Sequence, residues 1–170
     1  MSAGGNGARV GVEERWDPEG IRRLRELYDP LRRFAAVIGS WDVDPDDLVQ
    51  SAYAKVLTLH PDDIRELGPY LRRIIANLAT DERRRRTRAD GALRRIGPAQ
   101  GSTDAYPSDL EDLMHVAPRA RALLYLVEIE RTSVADAAEM VGMSNSSARV
   151  ALMRARRRLR SELKLEASGE

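Results

Sequence analysis

The sequence predicts an all-α protein made of two small helical domains joined by a flexible linker. Apolar residues recur at spacings of three and four along most of the chain, which is the helical period, and no stretch alternates as a strand does. Two of the periodic segments begin with Asp followed by Pro, a strong signal for a helix N-terminus. Between the periodic parts, residues 88–107 are polar and aperiodic, as is typical of a linker.

The composition excludes several classes of site. The chain of 170 residues contains no cysteine, which excludes disulfides and thiolate metal sites. Its two histidines, His60 and His115, lie far apart, and neither has a second ligand at helical spacing, so we expect no metal site and no cofactor. No apolar run approaches membrane-spanning length, and the N-terminus lacks the apolar core of a signal peptide. We therefore expect a cytoplasmic protein without membrane insertion.

Charge is segregated along the chain, although the net charge is only +1. Residues 40–70 contain seven acids against two basic residues. Residues 83–95 contain seven arginines against one aspartate, and residues 145–160 contain six arginines and no acid. Two basic zones and one acidic zone indicate two nucleic-acid contacts and a separate protein contact.

The first domain is predicted over residues 17–87, after a Gly-rich, aperiodic tail over residues 1–16 that we expect to be disordered. Asp17-Pro18 supplies an N-cap and a proline at the first helical position. An apolar face then continues to Ile38. Pro30 interrupts it, so the pattern fits either two helices or one kinked helix.

Two further helices complete this domain. Asp44-Pro45 repeats the cap-plus-proline pattern, and the first turn is acidic, which the helix dipole favours. This helix is predicted to end at about Leu59, and a polar loop from His60 to Pro69 follows. Tyr70 begins the next helix, which is apolar on one face and basic on the other. Its inward residues are Leu71, Ile74, Ile75 and Leu78.

The second domain is predicted over residues 108–165 and ends in a pair of helices. Helices at about 109–116 and 118–130 come first. The pair follows, with Ser133 and Asp136 at capping-box spacing at its first start. After a break at Gly142, Ser144 or Asn145 can cap the second helix of the pair.

That second helix has one buried stripe and one basic face. The residues of the stripe are Ala148, Leu152, Ala155, Leu159 and Leu163. Off the stripe lie small polar residues and a run of arginines that no acid neutralises. An ordinary helical hairpin with a solvated basic face is one interpretation. The unneutralised arginines favour the other, a helix-turn-helix that contacts nucleic acid.

Three segments resemble one family. DPDDLVQSAYAKVL, at residues 44–57, resembles an acidic D-D-L-V-Q helix of bacterial sigma factors of the extracytoplasmic-function class. PYLRRIIANLATDERRRR, at residues 69–86, resembles their W-L-x-x-I-A-x-N-x-x-x-D-x-x-R-R helix, with Tyr70 in place of tryptophan. SVADAAEMVGMSNSSARVALMRARRRL, at residues 133–159, resembles their C-terminal helix-turn-helix. The resemblance covers about residues 20–165.

The resemblance implies a subunit that binds core RNA polymerase, directs it to a promoter and helps open the DNA. The residues implied in polymerase binding are Asp46, Asp47, Leu48, Gln50 and Tyr53. Those implied in minus-10 recognition are His60, Arg73, Asn77, Asp81, Arg84 and Arg85. Those implied in minus-35 recognition are Ser146, Ser147, Arg149, Met153, Arg154 and Arg157. Asn77 and Asp81 fit equally well as structural residues that fix the loop by hydrogen bonds.

Several departures and alternatives stay open. Ser146, Ser147, Ala148 and Ala151 differ from the residues usual in the family, so the base preference does not carry over. Many members are held inactive by an anti-sigma partner, which makes such a protein a candidate partner here. The alternative function is a helix-turn-helix regulator that acts without polymerase. We expect no enzyme and no small-molecule substrate, because no nucleophile site or metal-binding carboxylate cluster is apparent.

Overall fold

A computed structural model describes residues 15–40, 42–93 and 116–166. Its elements are α1 (Pro18–Ile38), α2 (Pro45–Leu57), a 3-10 turn (Pro61–Asp63), α3 (Leu67–Leu93), α4 (Pro118–Leu124), a π-helical turn (Tyr125–Ile129), α5 (Val134–Met140) and α6 (Asn145–Glu166). The described ranges contain helices and turns but no strand, which confirms the all-α prediction.

The predicted helix starts at both Asp-Pro pairs are confirmed. The Asp17 carboxylate accepts a hydrogen bond of 2.7 Å from the backbone N–H of Gly20, and the Asp44 carboxylate accepts one of 2.9 Å from the N–H of Asp46. Each cap satisfies a donor that the first helical turn would otherwise leave unpaired. Pro30 lies inside α1, which continues through it to Ile38 as one helix. The interpretation as two separate helices is therefore wrong.

Three predicted boundaries need correction. α3 begins at Leu67 rather than Tyr70, and residues 88–93 of the predicted linker continue it. The predicted disordered tail is ordered at its end, because Trp16 is 4% exposed and its indole N–H donates to the carbonyl of Leu59 across 3.2 Å. The helix predicted at 109–116, the capping box at Ser108 and most of the tail and linker lie outside the described residues.

The N-terminal half packs three helices around one core. α1, α2 and α3 contact one another in all three pairings. The buried side chains of this half are Trp16, Leu24, Leu31, Phe34, Ala35, Ile38, Leu48, Val49, Ala52, Val56, Leu71, Ile75, Ala76 and Ala79. Burial of this apolar surface is the main stabilising contribution to the half.

The C-terminal half contains the predicted helix pair. Ser133 caps α5 as predicted, since its hydroxyl oxygen accepts from the N–H of Asp136 at 3.1 Å. The hydroxyl oxygen of Ser144 accepts from the N–H of Ser147 at 3.2 Å, so Ser144 rather than Asn145 caps α6. Gly142 sits between the two helices at φ +67°, a conformation that glycine adopts without steric cost. Of the predicted stripe, Ala148, Leu152 and Ala155 are buried and Leu159 is half-buried.

The two halves share one continuous core in the described chain. α4 contacts both α1 and α3 of the N-terminal half, and it also packs against α6 of the C-terminal half. The rings of Phe34 on α1 and Tyr125 after α4 meet edge to face, with centroids 5.8 Å apart. α4 therefore joins the two halves by packing on both sides, and α3 also contacts α5 directly.

Candidate protein-binding and nucleic-acid-binding surfaces

The acidic start of α2 is fixed to α1 through Asp46. Tyr28 donates a hydrogen bond of 2.6 Å to Oδ1 of Asp46, and Nε of Arg32 donates to the same oxygen at 2.9 Å. The bond from Tyr28 is the main cause that lowers the pKa of Asp46, and it raises the pKa of Tyr28 in turn. The carboxylate of Asp46 is therefore already bound by two side chains of α1.

The remaining residues of the predicted polymerase surface differ in exposure. Leu48 is only 6% exposed and belongs to the core, so it cannot present its side chain to another protein. Tyr53 is half-buried, and its hydroxyl donates to the carbonyl of Leu24; burial raises the pKa of Tyr53 to about 12. Asp47 and Gln50 are exposed. Of the five residues, these two are exposed, whereas Asp46 and Tyr53 are half-buried and Leu48 is buried.

The predicted minus-10 residues lie along α3 and the loop before it. His60 is exposed, with its Nδ1 at 3.4 Å from Oδ2 of Asp62. Asn77 is half-buried, and its Oδ1 accepts a hydrogen bond of 2.9 Å from Arg119 on α4. Arg73, one turn before Asn77, approaches Gly142 in the turn between α5 and α6. The C-terminal half therefore covers part of this face.

Farther along α3, the face is basic and open. Asp81, Arg84 and Arg85 are exposed. Arg84 has an Nη1 atom at 3.8 Å from Asp81, and Arg85 has one at 3.3 Å from Glu82. Exposed ion pairs at helical spacing contribute little to stability, so these arginines can turn to a phosphate at small cost.

The outward face of α6 is the most uniformly basic surface of the C-terminal half. Opposite the buried stripe lie exposed residues that include all six of the predicted minus-35 residues: Ser146, Ser147, Arg149, Met153, Arg154 and Arg157. The hydroxyl of Ser147 already accepts from Ser144 at 2.8 Å, while Arg156 pairs with Glu128 at 2.6 Å. The remaining arginines at this surface can approach a DNA backbone or base edge.

Sequence reasoning missed one residue of this face. Val150 is 43% exposed and lies between Ser146 and Met153 on the line opposite the buried stripe. The spacing Ser146, Val150, Met153, Arg157 is four, three and four, the same helical spacing that identified the stripe. That spacing was the signal that could have found Val150.

No group of three or more His, Asp or Glu side chains in the described residues is arranged to hold a metal ion. None of the helices in the described ranges combines the length and apolar character needed to cross a bilayer.

Comparison with known proteins then decides the family. A family model described as Sigma-70 region 2 matches residues 23–89, and one described as Sigma-70, region 4 matches residues 113–159. The RNA polymerase sigma-E factor of Streptomyces coelicolor is 31% identical over 147 residues, which cover 82% of this chain and 83% of the relative. The chain belongs to the sigma-70 family.

Within the sigma-70 family, further relatives support the extracytoplasmic-function class. The RNA polymerase sigma-E factor of Streptomyces antibioticus is 33% identical over 147 residues, 82% of each chain. A structure of the sigma factor RpoE in complex with the anti-sigma factor NepR, from Bartonella quintana, is 26% identical with a TM-score of 0.67. The structural match covers 86% of this chain and 97% of the RpoE chain.

As a sigma factor, the chain directs RNA polymerase to promoters. The polymerase-independent regulator is therefore not favoured. Sigma factors are generally regulators that catalyse no reaction. α5 and most of α6 fall within the region 4 match, and α2 with most of α3 falls within the region 2 match.

Proposed function

We propose that this sigma factor makes its promoter contacts through two separate basic surfaces. The outward face of α6 binds the minus-35 element, with Ser146, Ser147, Arg149, Met153, Arg154 and Arg157 in the major groove or on its phosphates. The single observation that carries this proposal is the row of exposed side chains opposite the buried stripe, with no acid between Asn145 and Arg160. A recognition helix of this kind enters the major groove with its N-terminal residues near the bases.

The minus-10 contact is assigned to α3 and the loop before it. His60, Arg73, Asn77, Asp81, Arg84 and Arg85 are its proposed residues. Asn77 offers both a donor and an acceptor to an unstacked base, and the arginines hold the phosphates of the separated strand. Melting then needs only preferential binding of the open strand. Asn77 and Asp81 retain a structural role as the alternative, and the bond from Arg119 to Asn77 is compatible with it.

The polymerase contact is assigned to the exposed side chains at the start of α2. Asp47 and Gln50 are its direct contacts, while Asp46, Leu48 and Tyr53 hold α2 in place from inside the N-terminal half. The proposed domains are residues 17–87 and 108–165, separated by a linker over residues 88–107. Because α3 extends to Leu93, the N-terminal end of that linker is helical.

We also propose that the chain has no catalytic activity of its own and acts in the cytoplasm, where core polymerase is found. An anti-sigma partner fits the likeness to the RpoE–NepR structure, since that likeness extends over most of the chain. Such a partner would keep the sigma factor from polymerase.

Transcription with purified components tests the proposed function. The chain is mixed with core polymerase and genomic DNA, and the starts of the transcripts are mapped. We expect starts that appear only when the chain is present and that share two upstream elements. Tight, sequence-specific duplex binding by the isolated chain, without such starts, would instead favour the polymerase-independent regulator.

A further inference from the structure

The outward face of α6 carries two apolar side chains among its arginines. Val150 is 43% exposed and Met153 is 60% exposed, and in the described ranges Ile129 is the one other large hydrophobic residue that is exposed. Apolar residues scattered singly over a surface need no explanation, but these two lie one turn apart on the same helix face. A neighbouring apolar pair on an otherwise polar and charged face indicates a contact outside the folded chain.

Val150 and Met153 lie near the centre of this face rather than at its edge. At about 100° per residue, the buried side chains of Ala148, Leu152 and Ala155 define one direction around the helix axis. Val150 and Met153 point to either side of the opposite direction, each within about 50° of it. A surface that approaches α6 from outside therefore meets these two side chains first.

Packing within the protein does not explain the apolar pair. The buried stripe of α6 packs against α4 and α5, and Ala151 and Leu159 are half-buried against the same core. Val150 and Met153 lie outside this contact and are exposed. Valine is also a poorer helix former than alanine or leucine, so local helix stability gives no reason for Val150. Both side chains are available to an external partner.

The charge around the pair indicates which kind of partner that is. Arg149, Arg154 and Arg157 are exposed beside it, and no acid occurs between Asn145 and Arg160. DNA neutralises several arginines at once through its phosphates, and it also presents an apolar group in its major groove. A contact with phosphates alone would use neither apolar side chain. Duplex DNA therefore accounts for both the arginines and the apolar pair.

The apolar group that the major groove offers is the C5-methyl of thymine. The other three bases present hydrogen-bond donors and acceptors at that edge. Valine or methionine placed against those polar groups would displace water without replacing its hydrogen bonds, which is unfavourable. Against a thymine methyl, the same side chains bury apolar surface, which is favourable. Val150 and Met153 can therefore discriminate for thymine and against the other bases.

Helix geometry limits this contact to a short part of the DNA element. Val150 and Met153 are three residues apart, which is about 4.5 Å along the helix axis at about 1.5 Å per residue. Neighbouring base pairs are about 3.4 Å apart, so the two side chains can reach one methyl group or two on adjacent base pairs. Ser146 lies one turn before the pair and Arg157 one turn after it. The apolar contact is therefore flanked by polar ones.

From this placement we infer that Val150 and Met153 select thymine at one or two positions of the minus-35 element by direct contact with its C5-methyl group. The inference rests on the proposed role of α6 in minus-35 recognition. Phosphate contacts made by the arginines fix the position of α6 on the duplex, and the apolar pair adds discrimination between bases.

Replacement of single thymines by deoxyuridine tests this contact, because it removes the C5-methyl and leaves base pairing intact. The duplex contains the minus-35 element of a promoter mapped for the holoenzyme, and the full chain is used together with core polymerase. We expect binding to weaken about fourfold at one or two thymines, as for one methyl group withdrawn from an apolar contact. The other thymines should tolerate the replacement. Competition against the unmodified duplex measures each ratio.

Two variants identify the side chains responsible. Val150→Ser and Met153→Gln each remove apolar surface and keep a residue of similar helix propensity, so α6 stays formed. Val150→Ser should bind the thymine and deoxyuridine duplexes equally at the position that Val150 contacts. Met153→Gln should reduce the preference at the same position or at the neighbouring one. Because methyl and side chain are removed separately and together, the change in preference measures their direct coupling.

Ile129→Ser is the control variant, because Ile129 is exposed but lies outside α6. It should keep the fourfold preference for thymine, and circular dichroism should report the same helix content in all variants. Salt gives a second control in the parent holoenzyme. Its affinity should fall as salt is raised, since contacts with phosphates release counterions, whereas the ratio between the thymine and deoxyuridine duplexes should stay constant.

Three outcomes would refute the thymine contact. The parent holoenzyme could be indifferent to deoxyuridine at every minus-35 thymine, or the mapped element could lack thymine on both strands. The third is a full preference for thymine that persists in both Val150→Ser and Met153→Gln. Absence of any minus-35 protection by the parent holoenzyme would instead contradict the proposed role of α6 itself.

Discussion

Arg119 donates a hydrogen bond of 2.9 Å to Oδ1 of Asn77, so the start of α4 is tied to the middle of α3. The bond gives Asn77 a partner within the chain, and the two proposed roles of Asn77 predict different results when that partner is removed.

Asn77→Ala should lower promoter opening about tenfold if Asn77 contacts a base, because a specific base contact is worth about 1–3 kcal/mol. Arg119→Ala should leave opening unchanged or raise it, since it removes only the competing donor. Permanganate reactivity of unpaired thymines measures opening directly. Equal losses in the two variants, with equal loss of thermal stability, would assign Asn77 a structural role.

Reversal of the exposed pair on α2 should weaken polymerase binding. Asp47→Lys with Gln50→Lys places two cations where the proposed partner surface meets an acid and an amide. We expect at least a tenfold loss of affinity for core polymerase, about 1.4 kcal/mol, measured by competition with the labelled parent chain. Glu19→Lys, an exposed charge reversal on α1, is the control. Unchanged competition by the double variant would argue against the docking role.

The carboxylate of Asp46 should make the free energy of unfolding depend on pH in the acid range. Its pKa is lowered from the usual 3.8, mainly by the bond from Tyr28, so the carboxylate is stabilised in the folded chain. That contribution is fully present above pH 3.8 and is lost as the pH falls through the lower folded-state pKa. The free energy of unfolding, measured in urea from pH 6 to pH 2, should therefore fall more steeply with acid for the parent chain than for Tyr28→Phe. Parallel curves would mean that the bond is not formed in solution.

Arg149→Ala should reduce promoter binding without unfolding α6. Arg149 is exposed and off the buried stripe, so its removal creates no cavity. If it holds a phosphate, the slope of log affinity against log salt should fall by about one. If it reads a base, the loss should depend on the sequence at one position. Arg25→Ala, exposed on α1, should change neither quantity.

Gly142→Ala should destabilise the turn between α5 and α6. Its φ of +67° costs an L-residue about 1–2 kcal/mol. A Cβ there would also lie 3.2 Å from Nε of Arg73. We expect a lower midpoint of thermal unfolding, with a smaller loss for Gly142→Asn because asparagine tolerates this conformation better. An unchanged midpoint for Gly142→Ala would contradict the turn geometry.

Local signals in the sequence were sufficient for the starts of α1, α2 and α5 and for most of the outward face of α6. The caps at Asp17, Asp44 and Ser133 depend on neighbours within three residues, so composition and spacing identify them. The end of α3 was harder, because residues 88–93 include Asp90 and Gly91 and lack an apolar period. Arg88, Ala89, Ala92 and Leu93 are good helix formers, but Gly91 lowers the helix propensity of the segment.

Contacts between distant segments were the part that sequence could not supply. Arginine usually lies at the surface, and the sequence assigned Arg121 no role. In the structure it is among the most deeply buried side chains. Its partners are backbone carbonyls of Ile38 and Gly39, which carry no side-chain signal. Leu48 was assigned to the docking motif by the resemblance, although its place in the apolar period of α2 also predicts that it faces the core, where it lies.

The burial of Trp16 gives this protein a built-in optical reporter. Its indole is enclosed near the end of α2 and bonded to the carbonyl of Leu59. With Trp41 changed to phenylalanine, the fluorescence would come from this one indole. An emission maximum that stays blue-shifted in Asn77→Ala or Asp47→Lys would show an intact N-terminal half, so that a loss of function in either variant reflects a lost contact.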